Sequence, residues 1–288
     1  MSIAKILVPV RGDGKGENVL AHAAAIARRN NAHIEAVHCR ARPRNLIPHG
    51  VFLPPSMRGQ LEQQAVELAN AEEASLQELF VELMGRMGIE VIEGGVPPRD
   101  HPTAGWFEEQ GNQMDVIKSH GRLADLVAVA KPDRDRNLGS NTLKAALFNT
   151  GRPVLLCPLV ETSPEALGER IAIAWNGSME ASRAVALAVP LIQEAEEVVV
   201  LDGGIGDHGA TGEELMRYLA IRGVAARCEP IHADEHPGAA ILAAAGGVAR
   251  ADLLVMGAYS HSREHETIFG GATQHVVDHT TMPVVMVH

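Results

Sequence analysis

Lys5-Ile6-Leu7-Val8-Pro9-Val10, closed by Arg11-Gly12, returns later in the same chain as Arg170-Ile171-Ala172-Ile173-Ala174-Trp175, closed by Asn176-Gly177. Each copy is apolar at nearly every position rather than at alternate ones, which marks a strand buried on both faces. Each turn leads into an alanine-rich amphipathic stretch, Glu17–Asn30 or Met179–Ala195, and then a second apolar strand, Ile34–Cys39 or Val198–Leu201. The match resumes at Ala124–Ala130 with Ala251–Gly257, and ends at Arg152–Pro158 with Met282–His288. One α/β unit is thus present twice. Buried strands alternating with helices predict two tandem, open, five-stranded parallel sheets with helices on both faces.

The interval between matched segments shrinks from 165 residues at the first strand (5 to 170) to 130 at the last (153 to 283), so the first copy is longer. The surplus follows the second strand, where Arg40–Gly59 carries four of the sixteen prolines and reads as an inserted loop before a long helical segment, Gln60–Gly88. Glu161–Glu169, with Ser163-Pro164 and Gly168, reads as the linker, which divides the chain into residues 1–160 and 168–288. In an open α/β sheet a ligand belongs outside the carboxyl ends of the strands, where strand order reverses. The loops after the first and fourth strands of each half lie on that edge.

Charge separates the halves. Residues 1–160 hold 18 Lys and Arg against 18 Asp and Glu, whereas residues 161–288 hold 7 Arg, no Lys and 18 acids, so the whole formal charge of −11 sits in the second half. Duplex binding relies on clustered Lys and Arg that displace counterions, so nucleic acid and anionic lipid are poor partners. With 46% hydrophobic residues the chain builds real cores, and its longest apolar stretches, such as Ala184–Ile192, fall far short of the roughly 20 residues that span a bilayer. The start, Met1-Ser2-Ile3-Ala4-Lys5, has no leader pattern, which points to the cytoplasm. Cys39, Cys157 and Cys228 are odd in number and far apart, which argues against a disulfide framework or a paired-cysteine zinc site.

At Ala251–His288 a strand ending Asp-Leu-Leu-Val-Met-Gly, a polar loop, a Gly-Gly helix start and the ending His-Thr-Thr-Met-Pro-Val-Val-Met-Val resemble the universal stress proteins, in the tandem form with two such units in one chain. The resemblance extends from Ile3–Val10 to Pro283–His288. It implies an adenine-nucleotide alpha-hydrolase-like fold, an intrachain pseudo-dimer packed through the last strands Val154–Cys157 and Val284–Val287, and an ATP or AMP site of the form Gly-x-x-Gly, nine residues, Gly-Ser/Thr. A glycine at a strand end admits close backbone approach, and a glycine-led helix start presents N–H groups to an anion. Gly257, Ser260 in place of the second Gly, Gly270 and Gly271 follow that spacing, with Ala272 beside them and Thr273 as a hydroxyl donor to phosphate. By the same resemblance Asn176 stands where an Asp is frequent and would contact ribose, and Leu201 would meet adenine through its backbone. In so acidic a half, a triphosphate would depend on backbone N–H groups, Arg263 or a divalent cation such as Mg. The first half departs further: Ala130 and Asp133 replace the glycines, five residues Arg134–Leu138 replace nine, and Arg11 replaces the Asp, so its site is read as degenerate.

Other patterns carry less. His261-Ser262-Arg263-Glu264-His265 has the order of an inverted zinc-protease motif but lies in a loop after a strand, not inside a helix. His275 and His279 share a helix face, with His279 read as a helix-end cap. Gly12-Asp13-Gly14-Lys15-Gly16 lacks the Gly-Lys-Ser/Thr ending of a phosphate loop, and Gly203-Gly204-Ile205-Gly206 follows the wrong strand for a dinucleotide fingerprint. Trp175 and Tyr259 read equally as adenine-packing groups or as fillers of the space. The resemblance implies a stress-response protein holding an adenine nucleotide in its second half as a regulatory ligand. The alternatives are an interaction scaffold that recognises an unidentified protein partner through Arg40–Gly59 and the acidic half, or a slow ATP hydrolase, for which no general base presents itself. Association of two chains into a further homodimer is left open.

Overall fold

The computed structural model describes residues 2–10, 15–40, 55–133, 136, 138–160, 164–204, 209–232, 236–259 and 271–288. In chain order the first half forms β1 (Lys5–Val10), α1 (Gly16–Asn30), β2 (His33–Arg40), α2 (Pro55–Arg86), β3 (Glu90–Val91), β4 (Thr103–Gln110), α3 (Gln113–Gly121), β5 (Leu126–Ala130), α4 (Ser140–Asn149) and β6 (Val154–Cys157). The second forms β7 (Arg170–Trp175), α5 (Met179–Gln193), β8 (Glu197–Asp202), α6 (Gly212–Ala220), β9 (Ala226–Pro230), α7 (Pro237–Gly246), β10 (Leu253–Gly257), α8 (Gly271–His279) and β11 (Val284–Val287).

The strands form one sheet in the order β3-β4-β2-β1-β5-β6-β11-β10-β7-β8-β9. Every pairing is parallel except β6 with β11, which run antiparallel with Leu155 opposite Val285. The apolar runs explain the layering, because successive residues of a strand face opposite sides. Ile6 and Val8 join a core beneath α1, α2, α5 and α6, whereas Leu7 joins one beneath α3, α4, α7 and α8. The first half contributes six strands rather than five, because the two-residue β3 adds an outer edge. The long helix begins at Pro55, earlier than its apolar pattern indicates, and proline suits a first helical turn, where its missing N–H has no partner to lose. Most of the insertion, residues 41–54, lies outside the described residues. The linker is held down: Leu167 is buried, and its carbonyl accepts from Arg29 Nη1 at 2.9 Å.

The duplication extends to polar contacts. Asp125 Oδ2 accepts from the N–H groups of Ala4 and Lys5 at the start of β1, and Asp252 accepts from Gly168, Glu169 and Arg170 at the start of β7. The Ala-Asp-Leu of each copy therefore fastens β5 to β1 and β10 to β7. No described helix is long and apolar enough to cross a membrane.

Candidate functional site

Strand order reverses about β7, which lies between β8 and β10, and a cavity of about 380 Å³ opens there at the carboxyl ends of the strands. Three helices begin at its wall. Ser178 caps α5, its Oγ accepting from the N–H of Ala181 at 3.2 Å; Pro237 opens α7; and Ala272 and Thr273 lie in the first turn of α8. Helix starts direct unpaired N–H groups and positive dipole ends toward whatever lies before them, which suits an anionic or hydrogen-bonding ligand. Ile231, Ile241 and Met256 supply an apolar wall. Among the described lining residues Glu180 is the one charged side chain.

Four expected site residues, Asn176, Gly257, Ala272 and Thr273, line this cavity together. Asn176 Oδ1 accepts from the N–H of Ser178 at 3.1 Å, which braces the turn and leaves its amide group as the donor. Thr273 Oγ1 accepts from the N–H of Tyr259 at 3.2 Å, so this hydroxyl ties the β10 loop to α8 while retaining a proton to donate. Gly257 has a structural requirement of its own. A Cβ there would stand 2.6 Å from backbone atoms of Glu180 and Ala181, so its small size lets the start of α5 rest on β10. Gly271 opens α8 with nothing within 4 Å of a Cβ. Leu201 is fully buried in the core beneath α7 and α8 and is absent from the lining, whereas Gly203, two positions on, is part of it. Ser260, Gly270, Arg263 and the His261–His265 pattern lie outside the described residues, as do Gly12–Gly14 and Ile205-Gly206.

Ser178 and Glu180 line the cavity, and motif reading passes over both. Ser178 was discoverable as a helix cap after Asn176-Gly177; Ile241, projecting from α7, had no local signal. Trp175 also lines the cavity, largely buried and with Nε1 donating to the Ala210 carbonyl at 2.7 Å, and the Tyr259 ring packs 5.4 Å from Phe148 of α4. His275 and His279 stack at 4.2 Å, and His279 Nδ1 hydrogen-bonds the His275 carbonyl. Among the described residues, no three His, Cys, Asp or Glu side chains are grouped to hold a metal ion.

At the corresponding place in the first half, between Pro9, Gly16, Ala130 and Gly139, lies a cavity of about 20 Å³, little more than one water molecule needs. Pro9 stands at the position of Ala174, and having no N–H it cannot extend the ladder; β1 meets β5 in register only at Ile6 and Leu7, while β7 follows β10 from Ile171 to Ala174. Lys15 Nζ reaches Asp133 Oδ2 at 3.3 Å beside this space. The Arg136 N–H, and then Lys15, hold the Asp133 carboxyl below the usual range.

Two copies of an open parallel sheet, joined through their last strands, define a duplicated α/β class. No protein-family model matches the chain, and no curated protein matches it. Among solved structures, a universal stress protein from Archaeoglobus fulgidus is similar over 98% of this chain and 97% of its own, with a TM-score of 0.69 at 15% identity. A functionally unknown protein from Pseudomonas aeruginosa aligns over 99% of this chain and 92% of its own, with a TM-score of 0.54 and 15% identity. The fold is that of the universal stress proteins in their two-copy arrangement.

Proposed function

We propose that the chain is a tandem universal stress protein, with folding units at residues 1–160 and 168–288, that binds an adenine nucleotide, ATP or AMP, in its second half as a regulatory ligand. The observation that carries this reading is the 380 Å³ cavity at the β7 crevice, walled by three helix starts and by Asn176 and Thr273. The apolar wall of Ile231, Ile241 and Met256 suits a base, and the helix starts suit the ribose and phosphate. The first half, with a cavity of about 20 Å³ at the matching place, is read as scaffold with a degenerate site.

Calorimetric titration with ATP and with AMP is expected to give one site per chain with Kd below about 1 mM, and Asn176→Ala should weaken it about fivefold, the worth of one lost hydrogen bond. No heat and no saturation at millimolar nucleotide would exclude the reading.

A further inference from the structure

The β7 crevice lies between helices of opposite layers, and its two sides are lined differently. Ile231, Ile241 and Met256, the apolar wall, all belong to the core beneath α7 and α8, and the start of α8 with Ala272 and Thr273 lies in that same layer. Helix α5 belongs to the other layer, where its Ala181, Ala184 and Val185 join the core. Glu180, the second residue of α5, therefore reaches the crevice from the face opposite the apolar wall. Its root is fixed against the end of β10, since a Cβ on Gly257 would stand 2.9 Å from the Glu180 Cβ.

The side-chain acceptors of the described lining are already engaged, with one exception. Asn176 Oδ1 accepts from the Ser178 N–H, Ser178 Oγ from the Ala181 N–H, and Thr273 Oγ1 from the Tyr259 N–H. The half-buried Glu180 carboxylate has no hydrogen bond and no ion pair among the described residues. Its two oxygens offer about four acceptor sites to whatever enters. Counted from the first strand, Lys15 of the first half stands at the position of Glu180, and its Nζ is tied to Asp133 at 3.3 Å. The half read as degenerate thus has a cation where the crevice has its acceptor.

A ribonucleotide carries its base and its 5′-phosphate on one face of the sugar ring and both ring hydroxyls on the other. With the base against Ile231, Ile241 and Met256 and the phosphate at the start of α8, both in one layer, the hydroxyl face turns toward α5. Two adjacent hydroxyls are donors, and a carboxylate at the end of a parallel strand is a group that holds ribose in α/β folds. We propose, resting on the nucleotide reading of the crevice, that Glu180 accepts from the ribose 2′- and 3′-hydroxyls and makes the site select ribonucleotides over their deoxy forms.

The test is calorimetric titration of the full chain with ATP and AMP and with their 2′-deoxy and 3′-deoxy forms, repeated on Glu180→Ala and Glu180→Gln. In the unmodified chain at least one deoxy form is expected to bind about tenfold more weakly than its parent, the worth of a hydrogen bond to a charged group. Glu180→Ala should weaken the parent nucleotide by about the same factor and the deoxy form little, so that the preference disappears. Glu180→Gln keeps the length and one acceptor oxygen, should retain part of the preference, and serves should the first variant fold poorly. A merely structural role would weaken parent and deoxy forms alike. That result, equal binding of parent and deoxy forms by the unmodified chain, or tighter nucleotide binding in Glu180→Ala because the carboxylate only opposes phosphate, would overturn the proposal and leave the crevice reading standing. No binding of ATP or AMP by the unmodified chain would remove both.

Discussion

A methyl group on Gly257 would collide with the backbone of Glu180 and Ala181 at 2.6 Å, and backbone cannot swing aside as a flexible side chain can. Gly257→Ala is therefore expected to cost about 1–3 kcal/mol in urea denaturation, the range for overpacked sites, whereas Gly271→Ala, with open space around it, should stay within about 0.5 kcal/mol. A second residue-scale expectation concerns pH. His22 is fully buried in α1; burial lowers its pKa, its Nδ1 bonds the Asn18 carbonyl at 2.7 Å, and Nε2 has no hydrogen-bond partner. The unfolded chain takes up the proton below about pH 6.5 while the folded chain resists it, so stability falls as pH drops from there toward the lowered folded value. His22→Leu should flatten that acid-side loss, measured as denaturation midpoints from pH 7 to 5.

Helix α6 shows the same economy at the scale of an element. Thr211 Oγ1 accepts from the Glu214 N–H and Glu214 accepts from the Thr211 N–H, a reciprocal box that also holds the Glu214 carboxyl below its usual range. Thr211→Ala should cost about 1 kcal/mol in urea unfolding. That box is written in four consecutive residues and could be read directly, as could β1, β7, β5 and β10, whose unbroken apolar runs admit no other reading. Other elements were hidden for physical reasons. The start of α2 depends on a proline whose helical role is positional, and β3 is too short to show a period. Of the crevice, Asn176 and Gly257 were legible because they lie at strand ends and Thr273 through the motif spacing of the resemblance, but the placing of Glu180 and Ile241 depends on helices meeting across the sheet. The part Tyr259 plays was not legible either, since its ring partner Phe148 belongs to the other copy.

At the scale of the molecule, the β6–β11 ladder makes one sheet of two, and the ring cluster beside it links the halves through side chains. A double-mutant cycle of Phe148→Ala and Tyr259→Ala should give a coupling of about 0.5–1.5 kcal/mol in global unfolding, and its absence would mean the contact is incidental. The same ladder has a consequence for stoichiometry. Both last strands are paired on each side, β6 by β5 and β11, and β11 by β10 and β6, so neither offers its edge to a second chain. Two identical chains meeting this way would carry like crevices and would separate on dilution. Joined covalently, two differently lined crevices travel together in every molecule, at a fixed ratio and at any concentration.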